Sequence, residues 1–85
     1  MRPIQIACQL SFYPLGCETY SREIEAVLAL IETSGLKATV GSMSTVINGE
    51  HEAVLALVAN IIELQAESSV QFAMNLSVSN VCGCL

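Results

Sequence analysis

Residues 70–80, Val70-Gln71-Phe72-Ala73-Met74-Asn75-Leu76-Ser77-Val78-Ser79-Asn80, alternate apolar side chains with small or neutral-polar ones. Successive side chains of a β-strand point to opposite faces of its sheet, so this period of two predicts a strand. One face of the strand is apolar and is expected to contact a hydrophobic core. The other face carries amides and hydroxyls without charge, and we expect function there.

Residues 4–13 show the same alternation and are predicted to form the first strand. The predicted core side contains Ile4, Ile6, Cys8, Leu10 and Phe12, and the other side contains Gln5, Ala7, Gln9, Ser11 and Tyr13. Because the two strands have matched faces, we expect them to share one sheet. Pro14-Leu15-Gly16 is expected to end the first strand, since proline lacks the N–H of a ladder hydrogen bond.

Two amphipathic helices are predicted between these strands, over residues 20–34 and 50–67. The apolar stripe of the first contains Ile24, Val27, Leu28 and Ile31, and that of the second contains Val54, Leu55, Val58, Ile61, Ile62 and the polar Gln65. Gly35 suits a left-handed helix stop. Short strands are predicted at 36–43 and 45–48, and Gly49 is expected to let the chain turn into the second helix.

The predicted order is β-α-β-β-α-β in a single domain of residues 1–85. Two right-handed halves of this kind give a ferredoxin-like α+β sandwich. We expect a four-stranded antiparallel sheet of order 4-1-3-2, with the central pair as the one parallel exception, and both helices on one face. The open face would then present Gln5, Gln9, Ser11, Tyr13, Gln71, Asn75, Ser77 and Ser79.

The composition is apolar and poor in charge: 53% of residues are hydrophobic, 13% are charged, and the net charge is −5. Average domains have about 25% charged residues, so we expect a partner to cover part of the surface, most simply a second copy of the chain. A monomer with an apolar surface is the alternative. Arg2, Arg22 and Lys37 do not form the clustered basic surface that nucleic acid requires.

The sequence shows no sign of export or membrane insertion. No apolar run reaches the roughly 18 residues of a membrane span, and the first eight residues do not resemble a signal peptide. Four cysteines in a chain that is not secreted indicate reduced thiols. We therefore expect a cytoplasmic protein.

The polar residues do not form a pattern typical of an enzyme. All eight acids are Glu, so a Ser-His-Asp set cannot be built. The predicted strands carry no pair of carboxylates that could face one cleft. His51, the single histidine, is expected at the exposed start of a helix. We predict no catalytic residues.

The cysteines do not predict a metal site either. Cys82 and Cys84 supply two ligands, whereas a structural zinc needs four. Cys17 follows the first strand and the pair follows the antiparallel last strand, which separates them by about 30 Å at roughly 3.3 Å per residue. Cys8 is expected to point into the core.

Some polar residues of the predicted sheet favour a binding surface. Asn75 places an amide in the middle of an alternating strand, where water, a second subunit or a ligand must meet its hydrogen bonds. Tyr13 adds a flat ring with a polar tip near the end of the same face. Ser42, Ser44 and Thr45 cluster at the middle hairpin, where ordinary turn chemistry is the alternative explanation.

Several short motifs occur in the order found in one family. They are Gln9-Leu10-Ser11-Phe12-Tyr13-Pro14-Leu15-Gly16, Ser34-Gly35-Leu36, Met43-Ser44-Thr45-Val46-Ile47-Asn48-Gly49, Met74-Asn75 and Cys82-Gly83. Together they resemble the YkoF-like family of thiamine- or hydroxymethylpyrimidine-binding proteins over nearly the whole chain. The resemblance implies the β-α-β-β-α-β fold and homo-oligomers, dimers or tetramers, that assemble through their sheets. Asn48 differs from the acid of many single-domain relatives, and YkoF itself has two such domains.

The resemblance implies non-catalytic binding of thiamine or its hydroxymethylpyrimidine half, for vitamin transport or salvage and without another cofactor. The residues that we predict to contact the ligand are Ser11, Tyr13, Met43, Ser44, Thr45, Met74 and Asn75. Ser, Thr and Asn can read the aminopyrimidine, Tyr13 can stack on either ring, and the methionines would form an apolar wall. Two alternatives remain open: a structural module that assembles through its open sheet face, and a cofactor-free enzyme of the dimeric α+β-barrel type.

Overall fold

A computed structural model of the protein describes residues 4–15, 20–41, 44–69 and 71–80. Its elements are β1 (Gln5–Leu15), α1 (Tyr20–Thr33), β2 (Lys37–Val40), β3 (Thr45–Glu50), α2 (His51–Glu67) and β4 (Gln71–Ser79). This order confirms the predicted ferredoxin-like α+β fold. Neither helix is long and apolar enough to cross a membrane within the residues described.

The four strands form one sheet in the order β2-β3-β1-β4, which is the predicted order read from the opposite edge. All three neighbouring pairs are antiparallel, so the expectation of a parallel central pair is wrong. The reason is topological. Helix α1 returns the chain so that β2 runs parallel to β1, and the hairpin then reverses β3 against both.

The register of the sheet determines which side chains face the helices. Cys8 lies opposite Ile47 on β3 and opposite Val78 on β4, and directly paired residues share a face. The buried core on this side contains Cys8, Leu10, Val27, Ile31, Ile47, Val54, Leu57, Val58 and Ile61. The predicted core side of β1 is therefore confirmed for Cys8 and Leu10, whereas Ile4 is exposed.

Pro14 does not end β1, contrary to expectation. The strand continues to Leu15, with Pro14 opposite Phe72 of β4. The last pair between β1 and β3 is Leu10 with Thr45, so β1 has a single described neighbour where the proline occurs. A strand is tolerant of proline where one of its sides has no ladder to lose.

The helices begin and end largely as predicted. Gly35 has a φ of 77°, the left-handed conformation expected after α1. Glu50, expected in the second helix, is the last residue of β3, and it precedes α2 without a side-chain cap. The backbone N–H of His51 instead donates to the carbonyl of Ile4 at 2.8 Å. This bond satisfies one of the N–H groups that a helix start leaves unpaired.

The buried stripe of α2 differs from the predicted one in three residues. Leu57 is buried although the predicted repeat omitted it, whereas Leu55 and Ile62 are exposed. Gln65 is fully buried, as its place in the repeat indicated. The stripe is therefore centred on Val54, Val58, Ile61 and Gln65.

Gly49 does not turn the chain, because it is a residue of β3 and has no positive φ. A Cβ at this position would lie 2.7 Å from Leu36 Cδ2 and 3.6 Å from Val54 Cγ2. The glycine therefore allows the segment before β2 to pack closely on β3 at the start of α2.

Candidate functional site

A cavity of about 310 Å³ opens between α1 and the sheet, close to the β2–β3 hairpin. Its walls are Leu10, Phe12, Ile24, Val27, Leu28, Ile31 and Val40, and its polar members are Tyr13, Gly41, Ser44 and Thr45. The volume lies at the lower end of the range for small-molecule sites, about 300–1,000 Å³, which are mostly apolar with a few polar groups.

The start of β3 brings Ser44 and Thr45 to this cavity. Thr45 lies opposite Leu10, so its side chain points to the helix side of the sheet, where it is 7% exposed. Ser44, the residue before it, accepts a hydrogen bond from Gln9 Nε2 at 3.0 Å. Gln9 pairs with Val46 and Ser77, so it belongs to the open face and holds the Ser44 hydroxyl on that side of the sheet. The Thr45 hydroxyl, which can donate as well as accept, is therefore the side-chain hydrogen-bonding group on the helix side, and Ser44 borders the cavity beside it.

The hairpin that carries these hydroxyls is closed by its backbone. The N–H of Gly41 donates to the carbonyl of Ser44 at 2.8 Å. A Cβ on Gly41 would lie 3.1 Å from that same oxygen, which is tighter than ordinary contact. Glycine at this position therefore fits the close approach that holds Ser44 at the edge of the cavity.

The seven predicted ligand-binding residues fall into separate groups. Tyr13, Ser44 and Thr45 line the cavity. Ser11 and Asn75 lie opposite each other on the open face of the sheet, where Asn75 is exposed. The structure therefore brings together three of the predicted residues and places this pair on the other side of the sheet.

The two predicted methionines have different outcomes. Met74 lies opposite Phe12 and is partly buried against the core, so it backs the helix side of the sheet. Met43 lies outside the described residues, as do Ser42, Cys17, Cys82 and Cys84.

Sequence reasoning did not include the wall that α1 provides. Ile24 and Leu28 were assigned only to the core stripe, yet both line the cavity and are only partly buried. The stripe Ile24, Val27, Leu28 and Ile31 has the usual i, i+3, i+4, i+7 spacing of a core-facing helix, so its pattern does not distinguish a cavity wall from core.

The titratable groups near the cavity are few. Tyr13 is the single titratable residue in the described lining. Cys8 does not belong to this lining and is fully buried in the core, where burial raises the pKa of its thiol above the ordinary value of 9.0. Within the described residues, no three His, Cys, Asp or Glu side chains are grouped closely enough to hold a metal ion.

His51 lies away from the cavity, at the first position of α2. Its Nδ1 atom is buried and has no hydrogen-bond partner among the described residues. The backbone N–H of His51 donates to the carbonyl of Ile4, which fixes the position of this residue at the start of α2. The expectation of an exposed histidine is wrong, since His51 is partly buried.

Solved structures from three bacteria have the same fold at low identity. A Thermotoga maritima protein named for thiamine biosynthesis or salvage superposes with a TM-score of 0.79 at 19% identity, covering 95% of this chain and 88% of its own. A Bacillus cereus domain of unknown function gives a TM-score of 0.80 at 18% identity, with coverages of 91% and 76%. A Streptococcus pneumoniae protein gives 0.79 at 19% identity, with coverages of 88% and 84%.

Identities this low support the fold alone, and no curated protein matches the chain significantly. The family comparison is more specific. Residues 8–80 match the family described as thiamine-binding protein, and the matched part runs from the middle of β1 to the residue after β4. This agrees with the resemblance seen in the ordered motifs. The chain belongs to the thiamine-binding protein family.

Proposed function

We propose that the protein binds thiamine or its hydroxymethylpyrimidine half, without catalysis, in the cavity between α1 and the sheet. The observation that carries this proposal is the combination of an apolar slot with the Thr45 hydroxyl at one end, in a chain of this family. A flat aminopyrimidine needs apolar contact on its faces and hydrogen bonds at its edge. The described lining meets both needs.

Three residues would recognise the ligand in this proposal. Thr45 and Ser44 donate or accept at the ring edge. Tyr13 stacks on a ring, and over the cationic thiazolium its attraction would be about 0.5–2 kcal/mol. The described lining offers no acid–base pair, which favours binding over proton-transfer chemistry. Met43 is proposed as a further apolar wall, and Met74 as support from behind.

Ser11 and Asn75 have a different place in the proposal because they lie on the open face. There a sister subunit that packs on the sheet would meet the hydrogen bonds of the Asn75 amide. A ligand bound between two such subunits would also contact the open face. We therefore propose these two residues as contacts at such a boundary.

A homo-oligomer is the second part of the proposal, and β4 is the observation that favours it. The strand has one described neighbour, β1, and its nine residues contain neither charge nor proline. Leu76 and Val78 face the helix side and are nevertheless 41% and 55% exposed. Exposed edge strands are usually protected by charge, proline or a covering element. Their exposure shows that the helices do not cover this end of β4, and a subunit packed on the open face, against Ser77 and Asn75, would lie beside this unprotected edge.

Thr45→Val tests the ligand site, because valine keeps the shape of threonine and removes its hydroxyl. Loss of one neutral hydrogen bond costs about 0.5–1.5 kcal/mol, and more where the partner is left unpaired. We expect titration calorimetry to show thiamine or hydroxymethylpyrimidine binding that is about threefold to tenfold weaker than in the unchanged protein.

Thr39→Val is the matched control, since Thr39 is exposed and its partner Val46 places it on the open face. It should leave the affinity unchanged. Equal affinities for the two variants would remove Thr45 from the site. Absence of binding to the unchanged protein would overturn the function. Chromatography of the ligand after incubation checks the enzymatic alternative, since a binding protein returns the ligand intact.

A further inference from the structure

A second cavity, of about 440 Å³, lies next to the first on the same side of α1. Its lining consists of Leu28, Ile31, Glu32, Leu36, Ala38 and Val40. Leu28, Ile31 and Val40 also line the first cavity. The two cavities are therefore adjoining parts of one trough between α1 and β2.

The trough is longer than a single six-membered ring needs. Glu32 follows Ile24 by eight residues on α1, and this is about 12 Å along a helix axis. The Thr45 hydroxyl lies at one end, where Ser44 also borders the trough, and the walls between the ends are apolar. Glu32 lies at the other end, and it is the one charged residue in the described lining of either cavity.

We propose that the trough binds a two-ring cationic ligand along its whole length, with Glu32 as the residue that selects for the positive charge. This inference rests on the proposed function and makes it more specific. The pyrimidine occupies the hydroxyl end, and a cationic second ring such as thiazolium occupies the end beside Glu32. An uncharged hydroxymethylpyrimidine fills the first cavity alone.

The surroundings of Glu32 favour this selection. Five of the six residues that line the second cavity are apolar, so a ligand seated there displaces water from one side of the carboxylate. Charges interact more strongly where water is displaced, and salt screens them less. The nearest cation in sequence, Lys37, lies opposite Asn48 on β3 and so points to the open face of the sheet. It does not compete from within the trough.

Glu32→Gln tests the inference, and Glu25→Gln is its matched control. Both glutamates are exposed residues of α1, seven positions apart on the same side of the helix. Glu25 does not belong to the described lining of either cavity. Each variant removes one negative charge, so the effect of net charge is the same in both.

We expect titration calorimetry at low ionic strength to show thiamine affinity reduced about threefold to tenfold in Glu32→Gln and by less than about twofold in Glu25→Gln. Hydroxymethylpyrimidine, which is uncharged, should bind all three proteins equally. The difference for thiamine should shrink as salt is added. Glu32→Lys should weaken thiamine further and improve binding of its anionic monophosphate.

The outcomes separate this inference from the function on which it rests. Thiamine binding that falls equally in the two Gln variants overturns the role of Glu32 and leaves the proposed function standing. Equal affinity of the unchanged protein for thiamine and hydroxymethylpyrimidine shows that the second ring gains nothing from the trough, with the same consequence. Failure of both ligands to bind overturns the inference together with the proposed function.

Discussion

Gln65 is the residue whose environment departs most from its chemistry. Its side chain is fully buried on α2, and neither Oε1 nor Nε2 has a hydrogen-bond partner among the described residues. An unpaired buried amide costs about 1–3 kcal/mol. The helical repeat predicted the burial, because period 3.6 determines which side of a helix faces the core. The lack of partners could not be predicted, since it depends on what the neighbouring elements bring.

Gln65→Met should therefore stabilise the protein. Methionine has a similar length and helix propensity and carries no group that needs a hydrogen bond. We expect the free energy of unfolding in urea to rise by about 1–2 kcal/mol. Gln71→Met is the control at an exposed site, and it should change the stability little. A loss of stability in Gln65→Met would show that the amide has a partner in solution.

The candidate site was predictable in composition and not in arrangement. The motif Ser44-Thr45 and Tyr13 were selected from the sequence, and all three line the cavity. Ser11 and Asn75 were selected with them, but the register places that pair on the opposite face. The alternation of side chains along β4 is enough to predict that Asn75 and Met74 lie on opposite faces of the sheet. The face of the sheet alone, however, does not decide which residues border a cavity at the end of that sheet. Tyr13 is exposed and alternates with the helix-side Phe12, yet it lines the cavity.

The element boundaries show where local signals were overridden. Pro14 and Gly49 both read as interruptions, and both lie within strands. The proline is tolerated because β1 has lost one neighbour at that point, a fact of the sheet and not of the local sequence. The glycine is required by a contact with Leu36, which is distant in sequence. Gly35, whose role is local, was read correctly.

Gly49→Ala tests the contact between β3 and the segment before β2. The new Cβ would lie 2.7 Å from Leu36 Cδ2, so the leucine must move out of its packed position. We expect a loss of about 1–3 kcal/mol in the free energy of unfolding, as is typical of overpacking. Because the close atom is the end of a side chain, the same change should cost less in a Leu36→Ala background.

Urea unfolding of the two single variants and the double variant measures that difference, and residues in contact usually couple by at least about 0.5 kcal/mol. If Gly49→Ala costs the same in both backgrounds, Leu36 is not the obstacle. The glycine would then be required by the backbone of β3 itself.

On the scale of the whole molecule, the strand order and the position of both helices followed from the sequence pattern, because few topologies satisfy short connections and right-handed crossovers. The apolar face of β4 was expected to contact the hydrophobic core, and only the first half of the strand does so. Phe72 and Met74 are partly buried, while Leu76 and Val78 are exposed on the same face. Hydrophobic alternation indicates a face that avoids water, but it does not say whether a helix or a second subunit covers it.

Ser77→Lys and Val78→Lys form a matched pair that tests the assembly and locates it. The residues are neighbours in β4, both are exposed, and their partners Gln9 and Cys8 place them on opposite faces of the sheet. Each variant adds the same charge. If subunits pack through the open face, Ser77→Lys buries an unpaired charge at the contact, which costs several kcal/mol, and the oligomer should dissociate.

Sedimentation velocity at a fixed protein concentration gives the mass of each form. We expect an oligomer for the unchanged protein and for Val78→Lys, and a monomer for Ser77→Lys. The reverse result would place the contact on the helix side of β4, where Leu76 and Val78 are exposed, and the open-face assembly would be wrong. A monomeric unchanged protein would mean that the low charge of the chain reflects an apolar surface in water, so Ser11 and Asn75 would have no subunit to contact.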